Sequence, residues 1–480
     1  MTAVTAHSGT GAQAAPDPPA PMPRGRRSTE LLMLIFAMGV VLAAYASAGL
    51  GLNGKLPAGL IEYGAAFSVL VFAAHIAVRR LAPWADPLML PLAALLNGLG
   101  IVMIYRLQES GRGGNPGIKI STISASTTAY QVMWSAIGIA AFIAVLVIIR
   151  EPRILQRYTY TLGALGLLLL AIPALLPASL SQVNGAKVWI KIGGFSIQPG
   201  EFAKLALAVF FAGYLVAKRD VLALAGRRLL GIDLPRARDL GPVLIAWGAS
   251  LLILIFETDI GTSALFFGLF VAMIYVATQR TSWLLIGIGL FAAGTYAASK
   301  LSPHVAERFT IWLHPFAGNN PTHASFQLVQ GLEGMGFGGI LGSGLGHGQP
   351  FFTPLAQSDF IITAFGEELG LTGLMAILLI FGLIVQRGLR AAILVRDPFA
   401  KLLAGGLAFV LALQVFVIVG GVTGLIPLTG VTTPFMSQGG SSLVANWAMI
   451  GLLMRISDTA RRPAPQPIQD EGMTQIVRAG

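Results

Sequence analysis

The stretch 195-FSIQPGEFAKLALAVFFAGYL-215 has the length and the apolar content of a helix that spans a membrane. Its first turns nevertheless carry Glu201 and Lys204, three residues apart and therefore on one face of the helix. Because an unpaired charge in hydrocarbon costs roughly 2.5–3.5 kcal/mol on insertion scales, such residues tend to face a bundle interior or a watery cavity. We predict that this pair does so. The alternative places Glu201 at the positive end of the helix dipole and lets Lys204 extend to the headgroups.

Composition extends this interpretation to the whole chain. The 480 residues are 55% hydrophobic and only 11% charged, and the mean hydropathy is +0.74, whereas soluble domains carry roughly 25% charged residues. This excludes a soluble protein. The net charge of +11 is better explained by basic residues that orient helices in a membrane than by nucleic-acid binding, so we expect no nucleic-acid partner. The absence of cysteine from the sequence excludes disulfides and cysteine-ligated metals.

Apolar runs predict an all-α polytopic membrane protein with about 12 transmembrane helices. The runs lie near 30–50, 59–78, 86–105, 130–149, 158–176, 200–217, 241–256, 261–279, 282–298, 360–385, 402–421 and 441–456. The predicted organisation is a disordered tail over 1–28, a helix pair over 29–84, a core membrane domain over 85–457 and a second tail over 458–480.

The distribution of basic residues predicts the orientation. Most Lys and Arg residues follow alternate spans, with the largest group in the segment 218–239. By the positive-inside rule both termini are then cytoplasmic, in the cell membrane. Two long segments face outside, at 177–199 and at 299–358, and the second precedes the last three helices. Loops this long are usually functional or disordered, and the glycine run within 299–358 suggests close backbone packing or mobility.

Three further segments place polar side chains in the outer half of the predicted bundle. Glu257 and Asp259 lie between two spans, where they either cap the next helix or take part in function. Asp359 lies at the outer boundary, and the adjacent Glu367 and Glu368 lie deeper, where at least one carboxyl group needs an internal hydrogen bond. The third segment is 427-PLTGVTTPFMSQGGSSLVANW-447, rich in small and hydroxyl residues. Together with the pair in the first stretch, these segments predict one cavity open to the outside.

Five of these segments, in order between about 86 and 456, resemble the SEDS family (shape, elongation, division and sporulation), the group of RodA, FtsW and SpoVE. They are NGAKVWIKIGGFSIQPGEFAKLALAVFFAGYL, ETDIGTSALFF, SFQLVQ, SDFIITAFGEELGLTG and GVTTPFMSQGGSSLVANWAMIGLL. The family has ten spans, so the pair at 30–50 and 59–78 resembles the N-terminal addition of relatives from high-GC Gram-positive bacteria.

The resemblance implies an enzyme, a peptidoglycan glycosyltransferase that polymerises lipid II outside the membrane beside a class B penicillin-binding protein and membrane lipids. A general base must take the proton of the attacking hydroxyl, and the pyrophosphate leaving group needs cations, from the protein or from Mg²⁺ or Mn²⁺. No bound cofactor and no protein metal site are expected. The implied catalytic residues are Lys204, held by Glu201, and the position of Asn320. Outer residues that steer the anionic substrate or contact headgroups are Lys187, Lys191 and Arg308. The implied substrate and cavity residues are Lys187, Trp189, Gln198, Pro199, Glu257, Asp259, Gln327, Asp359, Glu367, Glu368, Ser437, Gly439, Gly440, Ser441 and Ser442.

The sequence departs from the family at one position that bears on catalysis. The family carries an essential aspartate where this chain has Asn320, and no acidic residue occurs from Arg308 through Leu332. An amide cannot accept a proton as a carboxylate does. Three interpretations remain: a shifted alignment with Glu307 or Glu333 as the base, a histidine base at His314 or His323, or a slow or silent protein.

Two functions of other classes are alternatives to the glycosyltransferase. The first is a scaffold or activator of the transpeptidase, which the substitution at Asn320 favours. The second is a lipid II flippase, which would need a path from the inner leaflet. The inner loops show basic clusters without matching carboxylates inside the membrane, so the sequence favours the polymerase over the flippase.

Overall fold

The computed structural model describes residues 27–113, 127–183, 186–192, 195–222, 225–229, 232–235, 259–317 and 324–463, with isolated pairs between 244 and 257. The α-helices of these residues are α1 Arg27–Asn53, α2 Leu60–Leu81, α3 Met89–Gly113, α4 Thr127–Ile148, α5 Thr159–Leu175, α6 Ala178–Ser181, α7 Pro199–Leu222, α8 Ile260–Thr278, α9 Ser282–Leu301, α10 Pro303–Leu313, α11 Phe326–Gly338, α12 Ile361–Leu394, α13 Pro398–Val422 and α14 Gly440–Arg461. Short hairpins pair β1 Gln182–Val183 with β2 Ala186–Lys187, β3 Ile190–Ile192 with β4 Phe195–Ile197, and β5 Ala225–Leu229 with β6 Ile232–Pro235.

Ten helical segments of the described residues are long and apolar enough to cross a membrane, which confirms the predicted all-α polytopic membrane fold. The final helix α14 has 22 residues but is not among these ten. The span expected at 241–256 lies mostly outside the described residues. The count of 12 spans and the domain boundaries therefore stay predictions.

The bundle has two chemically distinct ends. The end that carries Asp259 and Asp359, each beside the first residue of a long helix, is called the acidic end here. The opposite end, where Asp86 pairs with Arg387 and Arg461, is called the basic end. From α12 to α14 the long helices run between the two ends in alternating directions, whereas α7 and α8 both begin at the acidic end, and the segment 236–258 between them lies mostly outside the described residues.

Helices α3, α8 and α13 form the interior of the bundle. Between 72% and 83% of each of their most apolar windows is buried, against 17% for α9 at the periphery. The fully buried Trp447 of α14 sits among them, with its ring edge-on to Phe142 and Phe435 and its Nε1 donating to Asn97 Oδ1 at 3.1 Å. Hydrocarbon gives little hydrophobic drive between helices, so such close packing and buried hydrogen bonds hold the bundle together.

Charged side chains fix α14 at the basic end. Asp458 accepts hydrogen bonds from the backbone N–H of Trp84 at 2.8 Å and from Arg462 Nη2 at 2.7 Å. Asp86 accepts from Arg461, and its own N–H donates to Ser457 Oγ at 3.1 Å. Both carboxylates are fully buried. The last helix is therefore clamped to the start of α3, which sets its height in the bundle.

The segment 299–358, expected as a long loop, contains the helices α10 and α11. Its glycine run after α11 packs closely: a Cβ atom at Gly338 would lie 2.3 Å from the carbonyl oxygen of Gly366. Gly342 has φ +84°, and its Cβ would lie 2.3 Å from the carbonyl oxygen of Glu368. The sequence suggested either close backbone packing or mobility for this glycine run, and the structure shows close packing. We call residues 342–349 the glycine turn.

Helix α12 is interrupted where it meets the glycine run. Gly370 has φ 66° and ψ −170°, outside the helical region. The next two amides, of Leu371 and Thr372, donate to the carbonyl oxygens of Gly339 at 2.9 Å and Ile340 at 3.1 Å, instead of continuing the helical ladder. The start of the second part of α12 is therefore docked onto the glycine run.

Candidate active site at the acidic end

Glu201 and Lys204 form an ion pair inside the bundle. Pro199 starts α7, where its fixed φ suits the first turn, and this places Glu201 near the positive end of the helix dipole. Lys204 Nζ lies 2.5 Å from Glu201 Oε2, and the two residues are only 2% and 5% exposed. The pair therefore faces the protein interior, as the charge argument predicted, and Lys204 does not extend to the headgroups.

Lys204 also contacts two other helices. Its Nζ lies 2.8 Å from Gln414 Oε1 on α13 and 3.5 Å from Asn446 Oδ1 on α14. Three acceptors match the three N–H donors of the ammonium group. The sequence predicted an open cavity around this pair. The structure instead surrounds it with uncharged polar side chains, because these lower the energy of a buried charge without admitting water.

Gln414 connects this pair to the acidic end. Its amide Nε2 donates to the carbonyl oxygen of Thr432 at 3.0 Å. Thr432 belongs to residues 429–433, called the Thr429–Thr433 segment here, which joins α13 to α14. A chain of contacts therefore runs from Lys204 through Gln414 to this segment.

The small-residue stretch is packed rather than open. Ser437 Oγ donates to the carbonyl oxygen of Ser358 at 2.5 Å and accepts from the N–H of Thr433 at 2.8 Å. Gly439 precedes α14 in extended conformation with φ 178°. A Cβ atom at Gly440 would lie 2.2 Å from the ring of Trp134, so a side chain there would collide with it.

The first turn of α14 meets the start of α7. Ser441 Oγ accepts a hydrogen bond from the N–H of Gln198 at 3.0 Å. Ser442 accepts from Asn446 Nδ2 through its carbonyl oxygen at 2.8 Å and its hydroxyl at 3.2 Å. Because Asn446 contacts Lys204, these serines help to position the buried pair.

A cavity of about 250 Å³ opens among α10, the start of α11, residues 355–360 before α12, the end of α13 and the Thr429–Thr433 segment. Two of the sequence-predicted residues line it, Gln327 and Asp359, together with Arg308. Other polar lining groups are His304, Glu307, Thr429 and Gly430. Both signs of charge therefore face one space at the acidic end.

The electrostatics of the cavity centre on Asp359. Burial raises the pKa of Asp359 to about 6, Arg308 opposes this rise, and Asp259 adds to it. Burial and then Arg308 lower the pKa of His304 below its usual value. At neutral pH the cavity therefore presents an ionised Asp359 and a cationic Arg308 beside a neutral imidazole.

Asp259 caps α8. Its Oδ1 accepts from the N–H of Thr262 at 3.1 Å and its Oδ2 from the Thr262 hydroxyl at 2.6 Å. Burial raises the pKa of Asp259, whereas the hydrogen bonds from Thr262 lower it. Of the two interpretations left open by the sequence, the structure shows the capping geometry.

Glu257 lies beside Asp259 and is nearly fully buried. Burial, followed by the charge of Asp259, raises the pKa of Glu257 to about 9, so this side chain is protonated at neutral pH. Its carbonyl oxygen accepts from the N–H of Lys187 in β2 at 3.2 Å, and the N–H of Trp189 donates to Ser181. The hairpins before α7 are thus tied to the acidic end through their backbones.

Glu367 and Glu368 bind the glycine turn. Glu367 Oε1 accepts from the N–H of Gln349, and Glu368 Oε2 from the N–H of Gly346 at 3.2 Å. Glu368 also pairs with Arg106, whose Nε lies 2.6 Å from Oε1. Internal hydrogen bonds were expected for at least one of the two glutamates and are present for both. Neither residue lines the 250 Å³ cavity described above.

Arg106 is the residue that sequence reasoning missed. It is 1% exposed, and its Nη2 donates to the carbonyl oxygen of Gly348 at 2.6 Å. The signal was available, because Arg106 is an isolated charge beside an apolar run. It was overlooked because the predicted span ended at residue 105, whereas α3 continues to Gly113.

The alternative bases are only partly placed. Asn320 and His323 lie outside the described residues. Glu333 is exposed on α11 and accepts from Gln330 Nε2 at 2.9 Å, and His314 follows the end of α10. Of the four alternatives to Asn320, Glu307 alone is a described residue that lines the cavity.

The described residues contain no group of three or more His, Asp or Glu side chains that is arranged to hold a metal ion. Participation of Mg²⁺ or Mn²⁺ stays a prediction.

An apolar groove of about 740 Å³ lies beside the cavity. It runs between α8, α9 and α13 and is lined by residues such as Phe267, Ile288 and Phe416. Thr429 lines both the groove and the cavity, and Phe309 and Trp312 of α10 line the groove next to Arg308. The acidic end therefore offers a charged space next to an apolar one.

Comparison with known proteins places the chain among relatives over most of its length. The RodA peptidoglycan glycosyltransferase of Mycobacterium tuberculosis is 50% identical over 447 residues, which cover 92% of each protein. The RodA of Mycobacterium leprae is 48% identical over 443 residues, also 92% of each. The stage V sporulation protein E of Bacillus subtilis is 32% identical over 379 residues, which cover 78% of this chain and 98% of that protein.

Solved structures share the fold. A variant of the rod shape determining protein RodA of Thermus thermophilus matches with a TM-score of 0.53 at 22% identity, over 78% of this chain and 97% of that one. A chain from a study of how a peptidoglycan synthase complex coordinates polymerization and crosslinking matches with a TM-score of 0.51 at 23% identity, over 83% and 97%. At these identities the likeness shows the fold alone.

The family profile described as cell cycle protein, FtsW/RodA/SpoVE, matches residues 86–462. The match begins after α1 and α2, which agrees with the interpretation of these helices as an addition to the core. By this match and by the extent of its similarity to the mycobacterial proteins, the chain belongs to the FtsW/RodA/SpoVE family.

Proposed function

We propose that this protein is a peptidoglycan glycosyltransferase that polymerises lipid II. The observation that carries the proposal is the charged cavity that lies next to the apolar groove, with Thr429 lining both. Lipid II combines an anionic pyrophosphate and a sugar with a long apolar chain, so it needs both kinds of surface side by side. The 50% identity to proteins named peptidoglycan glycosyltransferase RodA, over 92% of each chain, supports the same reaction.

In this proposal the acidic end faces the outside of the cell membrane, and both termini are cytoplasmic. The distribution of Lys and Arg supports this orientation. The partner is a class B penicillin-binding protein, because a chain of the same fold was studied in a complex that coordinates polymerization and crosslinking. Crosslinking of adjacent strands needs a transpeptidase near the newly made glycan.

Lys204 and Glu201 act on this site from within the bundle. Gln414 binds Lys204 through its amide oxygen and the carbonyl oxygen of Thr432 through its amide nitrogen, so it connects the pair to the Thr429–Thr433 segment, which lines the cavity. The pair therefore positions the wall against which the pyrophosphate lies. A divalent cation, if it takes part, enters with the pyrophosphate, and addition of EDTA followed by Mg²⁺ or Mn²⁺ tests this point.

The test uses the full chain purified with its cognate transpeptidase and supplied with labelled lipid II. Glycan strands from the wild-type complex support the polymerase. Strands that appear only after Asn320→Asp indicate a disabled polymerase that serves as a scaffold. Label that crosses liposome membranes without forming polymer identifies a flippase, and the proposed function is then rejected.

A further inference from the structure

The 250 Å³ cavity holds one carboxylate whose surroundings differ from those of its neighbours. Asp359 lies two residues before α12 and is half-buried in the wall of the cavity. Glu307, also on the cavity, has a side chain that is 55% exposed and lies 3.9 Å from His304 Nδ1. The nearby Asp259 accepts from Thr262 with both oxygens as the cap of α8. Asp359 is thus the carboxylate at this site that combines shelter with an opening toward a ligand.

Arg308 is held opposite Asp359. Its Nη1 donates to the carbonyl oxygen of Leu428 at 2.7 Å, which fixes the guanidinium at the cavity wall. A Cβ atom at Gly430 would lie 3.6 Å from Arg308 Nη2 and 3.9 Å from Asp359 Oδ2. The two side chains therefore border the same space above Gly430, which has no side chain to fill it.

This arrangement pairs a proton acceptor with a group that binds phosphate. A guanidinium presents several N–H donors to phosphate oxygens, and a carboxylate sheltered from water is a suitable general base. The charged and titratable groups facing Asp359 are Arg308, His304 and Glu307 from α10 and Asp259 from the start of α8. Their balance leaves Asp359 ionised at neutral pH, as a base must be before it accepts a proton.

We propose that Asp359 is the general base of glycan polymerisation in this protein and that Arg308 binds the pyrophosphate of the lipid-linked donor. This inference rests on the proposed function. The carboxylate of Asp359 takes the proton of the attacking sugar hydroxyl. As it does so, the hydroxyl oxygen forms a bond to the anomeric carbon of the donor. The bond from that carbon to the pyrophosphate oxygen breaks, and the electron pair leaves with the pyrophosphate, beside Arg308.

Asp359→Asn and Asp359→Glu, each purified in complex with the transpeptidase, test the base. We expect Asp359→Asn to lower kcat for strand synthesis by about 10²–10⁴-fold with little change in KM, because general-base catalysis contributes that much. Asp359→Glu restores part of kcat. Wild-type kcat rises as the pH increases through about 6, and this rise is absent from the residual activity of Asp359→Asn. Arg308→Gln chiefly raises KM.

Asp397→Asn is the matched control. Asp397 caps α13 at the basic end by accepting from the N–H of Ala400 at 2.9 Å, far from the cavity, and we expect activity within threefold of wild type. Thermal unfolding of each complex checks that the variants are folded.

Three outcomes overturn the inference. If the Asp359→Asn complex retains activity within threefold of wild type, Asp359 is not the general base, and the proposed function is unaffected. A large loss of kcat in Glu307→Gln, without such a loss in Asp359→Asn, shows that Glu307 is the general base. A wild-type complex that makes no strands from lipid II ends the proposed function and this inference together.

Discussion

Arg106 and Glu368, which lie 262 positions apart in the chain, form a 2.6 Å ion pair in the bundle interior. The pair joins α3 to α12, and both side chains are at most 1% exposed. Each partner also holds the glycine turn, Arg106 through the carbonyl oxygen of Gly348 and Glu368 through the N–H of Gly346. One buried contact therefore fixes two helices and the turn between them.

Removal of one member of this pair leaves the other as an uncompensated buried charge. We expect Arg106→Met or Glu368→Gln to lower the free energy of unfolding by about 3–5 kcal/mol, and the double variant to lose less than the sum. Arg153→Ala is the control, because Arg153 is 77% exposed and lies 3.7 Å from Asp397, and an exposed pair contributes at most about 1 kcal/mol. Thermal unfolding in detergent measures all four. Additive losses in the double variant would contradict the coupling.

Lys204→Met leaves Glu201 buried without its cation, so we expect a loss of about 3–5 kcal/mol of stability together with loss of strand synthesis. Glu201→Gln combined with Lys204→Met removes both charges and recovers most of the stability. Strand synthesis stays low in this double variant, because Gln414 no longer has its ammonium partner. Recovery of full activity along with stability would show that the pair serves folding only.

Substitution of Gly342 in the glycine turn tests whether a side chain strains the backbone there. Gly342→Ala forces a side chain into φ +84° and against the carbonyl oxygen of Glu368, and we expect a loss of about 1–3 kcal/mol or more. Gly336 lies on α11, where an added Cβ atom would meet nothing within 4 Å, so Gly336→Ala is the control and gains about 0.4–1 kcal/mol. The two thermal midpoints are compared directly. Equal midpoints would argue against a strained turn.

Asp359 gives a pH-dependent prediction for stability. Its pKa is raised from 3.8 to about 6 by burial, so its contribution to stability is complete below about pH 4 and is lost as the pH rises through about 6. Asp359→Asn cannot ionise, and we expect it to be more stable than wild type at about pH 7.5 by on the order of 2 kcal/mol. Near pH 4 the two proteins unfold at similar temperatures. A variant that is less stable than wild type at both pH values would refute the assignment.

Much of the fold follows from the sequence because apolar length is a direct consequence of membrane thickness. The buried position of Glu201 and Lys204 was also predictable, since a charge inside hydrocarbon must find a partner. The identity of the further partners was not. Gln414 and Asn446 are uncharged and lie 210 and 242 positions from Lys204, so no local pattern marks them.

The acidic end was harder to predict than the spans. Helices α10 and α11 are short, and their positions depend on the packing of α10 on α9 and of α11 on α12 rather than on their own periodicity. The sequence predicted one cavity for Asp359 and Glu367 because both lie in the outer half of the predicted bundle. The two side chains lie at different sites, because Glu367 binds the backbone of the glycine turn while Asp359 faces Arg308 across the cavity.

The break at Gly370 has a mechanical consequence. The amides of Leu371 and Thr372 bond to residues 339 and 340, so the helical hydrogen-bond ladder of α12 is interrupted at Gly370, and this residue forms a hinge between the two parts of the helix. A change in bilayer thickness that tilts this remaining part, whose outer face carries Leu379 and Ile393, bends the chain at that hinge. The carboxylates of Glu367 and Glu368 then keep their places while the lower half of the helix adapts to the lipid around it.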